Sequence, residues 1–379
     1  MSARNKPPFR ADHVGSLLRP KSLLKAREEA AAGAISDDEL RAQEDDAISD
    51  VIKLEQDVGL RSITDGEFRR ASWHMDFIYQ IAGVEKVEQK LQSVFHNPQG
   101  DIYFTPSAVR ISGKISMDHT IFGPAFEFLR ETVRASPAGG TPKLTIPAPS
   151  LVHYRNGPAA IDHDVYPDME LFWDDVGAAY ADEVRRLGEL GCTYLQFDDT
   201  SLAYLNDPEQ REMFTNRGED PTHQHEIYIR TINRALENKP AGMSVTAHLC
   251  RGNYRSSWVA QGGYDFVADA LFNDLNIDGY FLEYDDERSG GFEPLRLVPK
   301  GKQVVLGLVT TKRGELEDKD VLKRRLEEAS KFVDLDQVCL SPQCGFSSTL
   351  EGNTLTQDQE IAKLRLVVET AEEVWGSAG

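Results

Sequence analysis

The sequence predicts an α/β protein built as a (β/α)8 TIM barrel with an insertion after the second strand. Three observations carry that expectation. Eight short β-rich runs alternate with longer amphipathic segments, the rhythm of repeated β-α units around a parallel sheet. The 379 residues are 40% hydrophobic and 27% charged, enough for a sizeable core and far from a disordered composition. No repeat, low-complexity tract or Pro/Gly/Ser linker divides the chain, so one elaborated domain over residues 1–379 is the simplest account.

In chain order the runs are residues 11–15, 61–65, 143–147, 193–198, 243–248, 279–283, 303–307 and 337–341. Helical patterns lie between them at 36–58, 169–190, 222–238, 263–274, 318–333 and 357–374. Several carry acidic residues in the first turn, where they complement the helix dipole. Segment 85–135 does not fit the count. Within it 107–117 reads as an extra strand or hairpin and 124–133 as one helical stretch, an inserted subdomain expected to act as a lid or a dimer contact.

Composition argues against several classes. With 62 acidic and 42 basic residues the formal charge is −20, which repels nucleic acid and anionic lipid, so neither is an expected partner. Residues 1–10 hold basic side chains with no apolar segment behind them, and no run of about 18 apolar residues occurs, so the cytoplasm is the expected location. The four cysteines do not make a disulfide framework and direct attention to metal binding or catalysis.

The most specific local signal is Thr246-Ala-His-Leu-Cys-Arg-Gly-Asn253, at the end of the fifth run. Residues i and i+2 of a strand point to the same side, so His248 and Cys250 can grip one ion. Cys344, just past the eighth run, and Glu283, at the end of the sixth, are the third and fourth candidates. In a barrel all four lie at the C-terminal mouth, where catalysts of this fold sit. Cys192 and Cys339 precede or lie inside strands and read as small buried thiols. Zn2+ accepts imidazole, thiolate and carboxylate ligands in a tetrahedron. A carboxylate ligand can yield to an incoming thiol, which then ionises, so such a centre suits S-alkylation better than activation of water.

The stretches His13-Val-Gly-Ser16, Asp65-Gly-Glu67, Gln196-Phe-Asp-Asp199, His248-Leu-Cys250 with Gly252-Asn253, Glu283 and Pro342-Gln-Cys-Gly345 form an ordered series. It resembles the cobalamin-independent methionine synthase family, specifically its zinc-bearing C-terminal barrel and single-barrel relatives. The resemblance implies methyl transfer to the sulfur of homocysteine, with Zn2+ held by His248, Cys250, Glu283 and Cys344, and Glu287 as a second-choice carboxylate. It also implies that Gly15 and Ser16 hold the amino acid carboxylate, and that Glu67 and Asp198 hold its ammonium. The expected methyl donor is methyl-folate or methylcobalamin, and a homodimer is an expected assembly.

Departures from the family pattern matter as well. Lys312 stands near the family's proton-donating histidine and is grouped with Asp198 as catalytic, its ammonium helping a leaving group electrostatically. Asp199-Thr200 replaces the usual Glu-Pro. Arg69, Arg70, Arg251 and Arg255 read as a basic rim or as plain surface charges, and Trp73, Tyr154 and Trp258 as aromatics near the mouth. These differences keep an alternative open: zinc-dependent alkyl transfer between another thiol and a non-folate electrophile, such as an epoxide or a demethylation substrate. A non-catalytic zinc or thiol binder and a decarboxylase of similar fold are the remaining rivals.

Overall fold

The computed structural model describes residues 4–379; residues 1–3, the start of the stretch read for a leader, lie outside it. Its strands are β1 Ser62–Ile63, β2 Ala82–Lys90, β3 Ser93–Phe95, β4 Ile102–Phe104, β5 Ser107–Ser116, β6 Thr141–Pro147, β7 Tyr194–Asp199, β8 Ser244–Leu249, β9 Gly279–Glu283, β10 Gln303–Val309 and β11 Val338–Pro342. Seven of them form one curled sheet in the order β1-β6-β7-β8-β9-β10-β11, with every neighbouring pair parallel. Strands β7, β9 and β11 are buried at every position, as expected where a sheet is covered on both faces.

The first expected run corrects the sequence reading. Residues 11–15 form no strand but a single parallel bridge, Ala11 to Leu340. On the β11 side the backbone is paired: Asp12 N–H donates to the Leu340 carbonyl at 3.0 Å, and Leu340 N–H to the Arg10 carbonyl at 2.8 Å. On the β1 side the contacts run through side chains. The Ser62 hydroxyl donates to Asp12 Oδ1 at 2.8 Å, and His13 Nε2 lies 3.1 Å from the Ser62 carbonyl. Lys143 donates to Asp12 Oδ1 at 3.2 Å and also to the His13 carbonyl. The second run is likewise cut to two residues, because Asp65 Oδ1 accepts the Glu67 N–H at 2.8 Å in a tight turn. Gly66 and Glu67 both have positive φ there.

Helices begin where their caps dictate. Ser36 and Glu39 form a reciprocal capping box ahead of helix Asp37–Val58. Thr356 and Gln359 do the same for Gln357–Trp375, while Asp168 and Asp318 cap Met169–Glu189 and Lys319–Ala329. The patterns at 222–238 and 263–274 shrink to Gln224–Ala235 and Ala268–Asn273. No helix is long and apolar enough to cross a membrane, among the described residues.

Between β1 and β6 the chain forms two antiparallel pairs, β2 with β5 and β3 with β4, and then helix Gly123–Ala135. β2 exposes most of its residues on both faces, so it lacks the alternation that marks a half-buried strand.

Candidate metal centre

Four side chains converge at the C-terminal ends of the parallel strands. His248 lies near the end of β8 and Cys250 just beyond it, Glu283 ends β9, and Cys344 follows β11. One ligand atom from each lies within 4.8 Å of the others, and all four residues are buried. The two sulfurs are 3.4 Å apart, and both cysteines are free. Neither ring nitrogen of His248 has a hydrogen-bond partner.

The electrostatics of this cluster oppose charge at His248, Cys250 and Glu283. Burial, reinforced by the Lys143 and Lys312 ammonium groups, lowers the His248 pKa to about 3, so its imidazole is neutral at ordinary pH. The neighbouring Cys344 and burial push the Cys250 thiol well up. Burial raises the Glu283 carboxyl, with Lys312 and Arg251 pulling the other way. A divalent cation reverses the thiol and carboxyl preferences, and an unpartnered neutral imidazole is a ready ligand. The donor set of two sulfurs, one nitrogen and one carboxylate therefore fits Zn2+.

Arg251 holds this arrangement from behind. It is only 1% exposed and donates to the Gly262 carbonyl at 2.9 Å, and to Tyr264 Oη and the Glu283 carbonyl at 3.0 Å each. Its backbone N–H donates to Glu283 Oε1 at 3.0 Å.

His248, Cys250 and Cys344 line a cavity together with Ser16, Glu67 and Asp198. Glu67 has φ 61°, a strained backbone for a non-glycine residue and common at functional sites. Its Oε1 accepts from Thr145 Oγ1 at 2.7 Å and lies 3.4 Å from Arg70 Nη1, while its buried Oε2 has no partner. Asp198 Oδ1 accepts from Gln196 Nε2 at 2.7 Å. Burial, and then the Glu67 charge, push the Asp198 carboxyl well up. Gly15 stands behind this wall with φ 145°, and a Cβ there would lie 2.7 Å from Thr145 Cγ2.

Other expected residues fall outside the four-residue cluster. Lys312 is in a buried ion pair, 3.1 Å from Asp285. Burial disfavours its charge, but Asp285 and Glu283 outweigh burial and raise its pKa. Glu287 is exposed in a 3-10 turn outside the cluster. The basic rim is absent: Arg69 pairs with Glu44 at 2.9 Å and with Asp45, and Arg70 donates to the Thr145 carbonyl at 2.8 Å. Of the four arginines only Arg255 is an exposed charge. Trp73 lines the cavity, whereas Tyr154 packs on Tyr204 and Phe214, and the Trp258 ring carries the Arg288 guanidinium. Sequence reasoning missed His74, Phe95, Phe104, Arg155 and Tyr254, which are also part of the lining. Phe95 and Phe104 come from strands of three residues, too short to show a period.

A curled parallel α/β sheet with acidic side chains and side chains able to hold a metal gathered over its C-terminal edge matches the class of enzymes that work at strand ends. The chain belongs to the cobalamin-independent synthase family, whose catalytic-domain model matches residues 155–373. It is 46% identical to YxjG of Bacillus subtilis (strain 168), over 98% of this chain and 96% of that protein. The methionine synthase of Pyrococcus abyssi is 22% identical and covers 88% of this chain and 84% of its own length. Among solved structures, a Listeria monocytogenes protein is 38% identical with TM-score 0.78, covering 99% of this chain and 100% of its own. A B12-independent methionine synthase from Shewanella sp. W3-18-1, in complex with selenomethionine, shares the fold with TM-score 0.69 at 21% identity. It covers 96% of this chain and 97% of its own.

Proposed function

We propose that this protein is a zinc-dependent S-methyltransferase acting on homocysteine, with His248, Cys250, Glu283 and Cys344 as the metal ligands. The observation that carries this reading is the gathering of two free thiols, an unpartnered imidazole and a carboxylate, with the thiols and the imidazole in one cavity wall beside Glu67 and Asp198. We read the curled sheet as a (β/α)8 barrel in which residues 11–15 take the first strand's place, 85–135 as its lid, and the cytoplasm as its compartment.

Bound Zn2+ supplies Lewis acidity that favours the ionised form of a substrate thiol. The chain supplies the rest. Glu67 Oε2, which has no partner, accepts from the substrate ammonium, and Asp198 accepts beside it. The turn at Gly15 and Ser16 offers a hydroxyl and backbone N–H groups to the carboxylate. Held at both ends, the amino acid has only its sulfur free to point toward the cysteine pair, which gives the near-attack placement that lowers the barrier. The sulfur–methyl bond then forms as the bond from methyl to the donor's leaving atom breaks, and its electron pair departs with the donor. Lys312, fixed to Asp285, acts as a stationary positive charge rather than as a source of protons.

Metal analysis and donor screening test the reading together. The purified protein should hold about one zinc per chain and methylate homocysteine with a methyl-folate or methylcobalamin donor. Cys250→Ser and Cys344→Ser should lose both zinc and activity. A Cys344→Ser variant that keeps full activity rules the mechanism out.

A further inference from the structure

Cys250 and Cys344 stand on different loops, one after β8 and the other after β11, yet their sulfurs lie only 3.4 Å apart. Thiols attract each other weakly, so the backbone must hold them there. A tetrahedral ion with metal–sulfur bonds of about 2.3 Å needs its two sulfurs roughly 3.8 Å apart. The observed spacing falls only slightly short of that.

The link between the two loops is Asn253. It is 6% exposed, and its Nδ2 donates to the Gly345 carbonyl at 2.6 Å. The same carbonyl accepts from the Thr311 hydroxyl at 3.0 Å. Thr311 is in turn held by Asn353, whose Nδ2 donates to the Thr311 carbonyl at 2.9 Å and to its Oγ1 at 3.2 Å. Asn353 Oδ1 accepts the Ser256 N–H at 2.9 Å, which returns the chain of bonds to the Cys250 loop. Asn253, Gly345, Thr311, Asn353 and Ser256 therefore close a ring through the loops that follow β8, β10 and β11.

Two features set this ring apart from ordinary loop packing. Gly345 has no Cβ to restrict its backbone, and it is pressed against Ser16, since a Cβ there would lie 2.0 Å from Ser16 Oγ. The residue next to Cys344 is thus fixed by Ser16 and by the ring. Arg255 and Ser256 are consecutive non-glycine residues with φ of 49° and 64°. Such a backbone persists only where its surroundings over-determine it, and it clusters at functional sites. Asn353 and Thr354 hold it here.

We infer that Asn253, seconded by Thr311, is a positioning residue: by fixing the Gly345 carbonyl it holds the Cys344 sulfur at ion-binding distance from Cys250. Its effect on the ion rests on the zinc reading, whereas its effect on the sulfur spacing rests on the ring alone.

Full-length protein stripped of metal tests this in two ways. Zinc affinity is read by competition with a chromophoric chelator. Sulfur spacing is read with phenylarsine oxide, whose arsenic bonds to two neighbouring thiols while its oxygen leaves as water with their hydrogens. Asn253→Ala should bind zinc about ten- to hundredfold more weakly than the wild type and should lose arsenical bridging in parallel, although all four cluster residues remain. Thr311→Val should weaken zinc binding, and Thr311→Ser, which keeps the hydroxyl, should not. Zinc binding by Asn253→Ala as tight as in the wild type overturns the inference. So do equal zinc affinities in Thr311→Val and Thr311→Ser, even if Asn253→Ala does not fold. A wild type that takes the arsenical but no zinc, with bridging lost in Asn253→Ala, counts against the metal reading alone.

Discussion

Glu67 is the residue at which backbone strain and an unused charge coincide. Its left-handed φ is held by Asp65 Oδ1 on its N–H and by Arg19 on its carbonyl, which leaves Oε2 to a ligand. Glu67→Gln should therefore raise KM for homocysteine roughly ten- to hundredfold, the value of one lost charge-assisted contact. Bound zinc and fold should be unchanged, as steady-state kinetics and metal analysis would report. At Lys312 the expectation concerns stability. Lys312→Met strands the buried Asp285 carboxylate and should cost about 3–5 kcal/mol in denaturant unfolding. Burial alone would raise the Asp285 carboxyl, but Lys312 and Arg288 more than reverse that and its pKa is lowered. The pair's contribution is thus present above the ordinary aspartate pKa of about 3.9 and lost as pH falls through the lower folded value. The four clustered residues were legible in the sequence because each ends or closely follows a β-rich run. Arg155 and His74 could not, because neither falls in a β-rich run or a spaced motif.

At the scale of elements, helix Gln357–Trp375 docks through Glu360, whose Oε1 accepts the Leu18 N–H at 2.8 Å. Burial raises the Glu360 carboxyl to about 8. Because the folded value is above the unfolded one, the stabilisation is complete below about pH 4.3 and fades as pH rises toward 8. Glu360→Gln keeps the acceptor and removes the titration. Its thermal unfolding should lose most of the decline over that window, leaving the variant more stable than the wild type at pH 8.5 by a few kcal/mol, roughly. Helix starts were legible where a side chain caps them, as at Ser36 and Thr356. Helix Lys21–Ala31 was not, since its N-cap is Pro20 with no side-chain cap and no acidic first turn. The strand expected at 11–15 failed for a related reason: half of its pairing runs through side chains of Ser62 and Lys143 that no run of β-formers announces.

Across the whole molecule, the ends of the curled sheet meet at Asp12. Its carboxylate takes the Ser62 hydroxyl, the Tyr194 hydroxyl at 2.9 Å, the Phe9 N–H at 3.1 Å and the fully buried Lys143 ammonium. Asp12→Asn weakens this joint and leaves Lys143 without its countercharge. It should lower stability by about 3–5 kcal/mol, measured by urea unfolding, without altering the residues that line the cavity. The alternation of β-rich and amphipathic runs exposed the parallel sheet in advance. It said nothing of the joint, because Asp12 and Lys143 are 131 residues apart.

The hairpin of β3 and β4 is stitched to the segment following Cys250. His96 and Trp258 exchange backbone hydrogen bonds of 2.6 and 3.0 Å, and Asn97 Nδ2 donates to Ser257 Oγ at 2.7 Å. The hairpin and Cys250 thus hang from the same nine-residue span of backbone, Cys250–Trp258. On the proposed zinc reading, a ligand that pushes the hairpin outward also moves the backbone that carries Cys250, which would make size exclusion and ion retention one mechanical property.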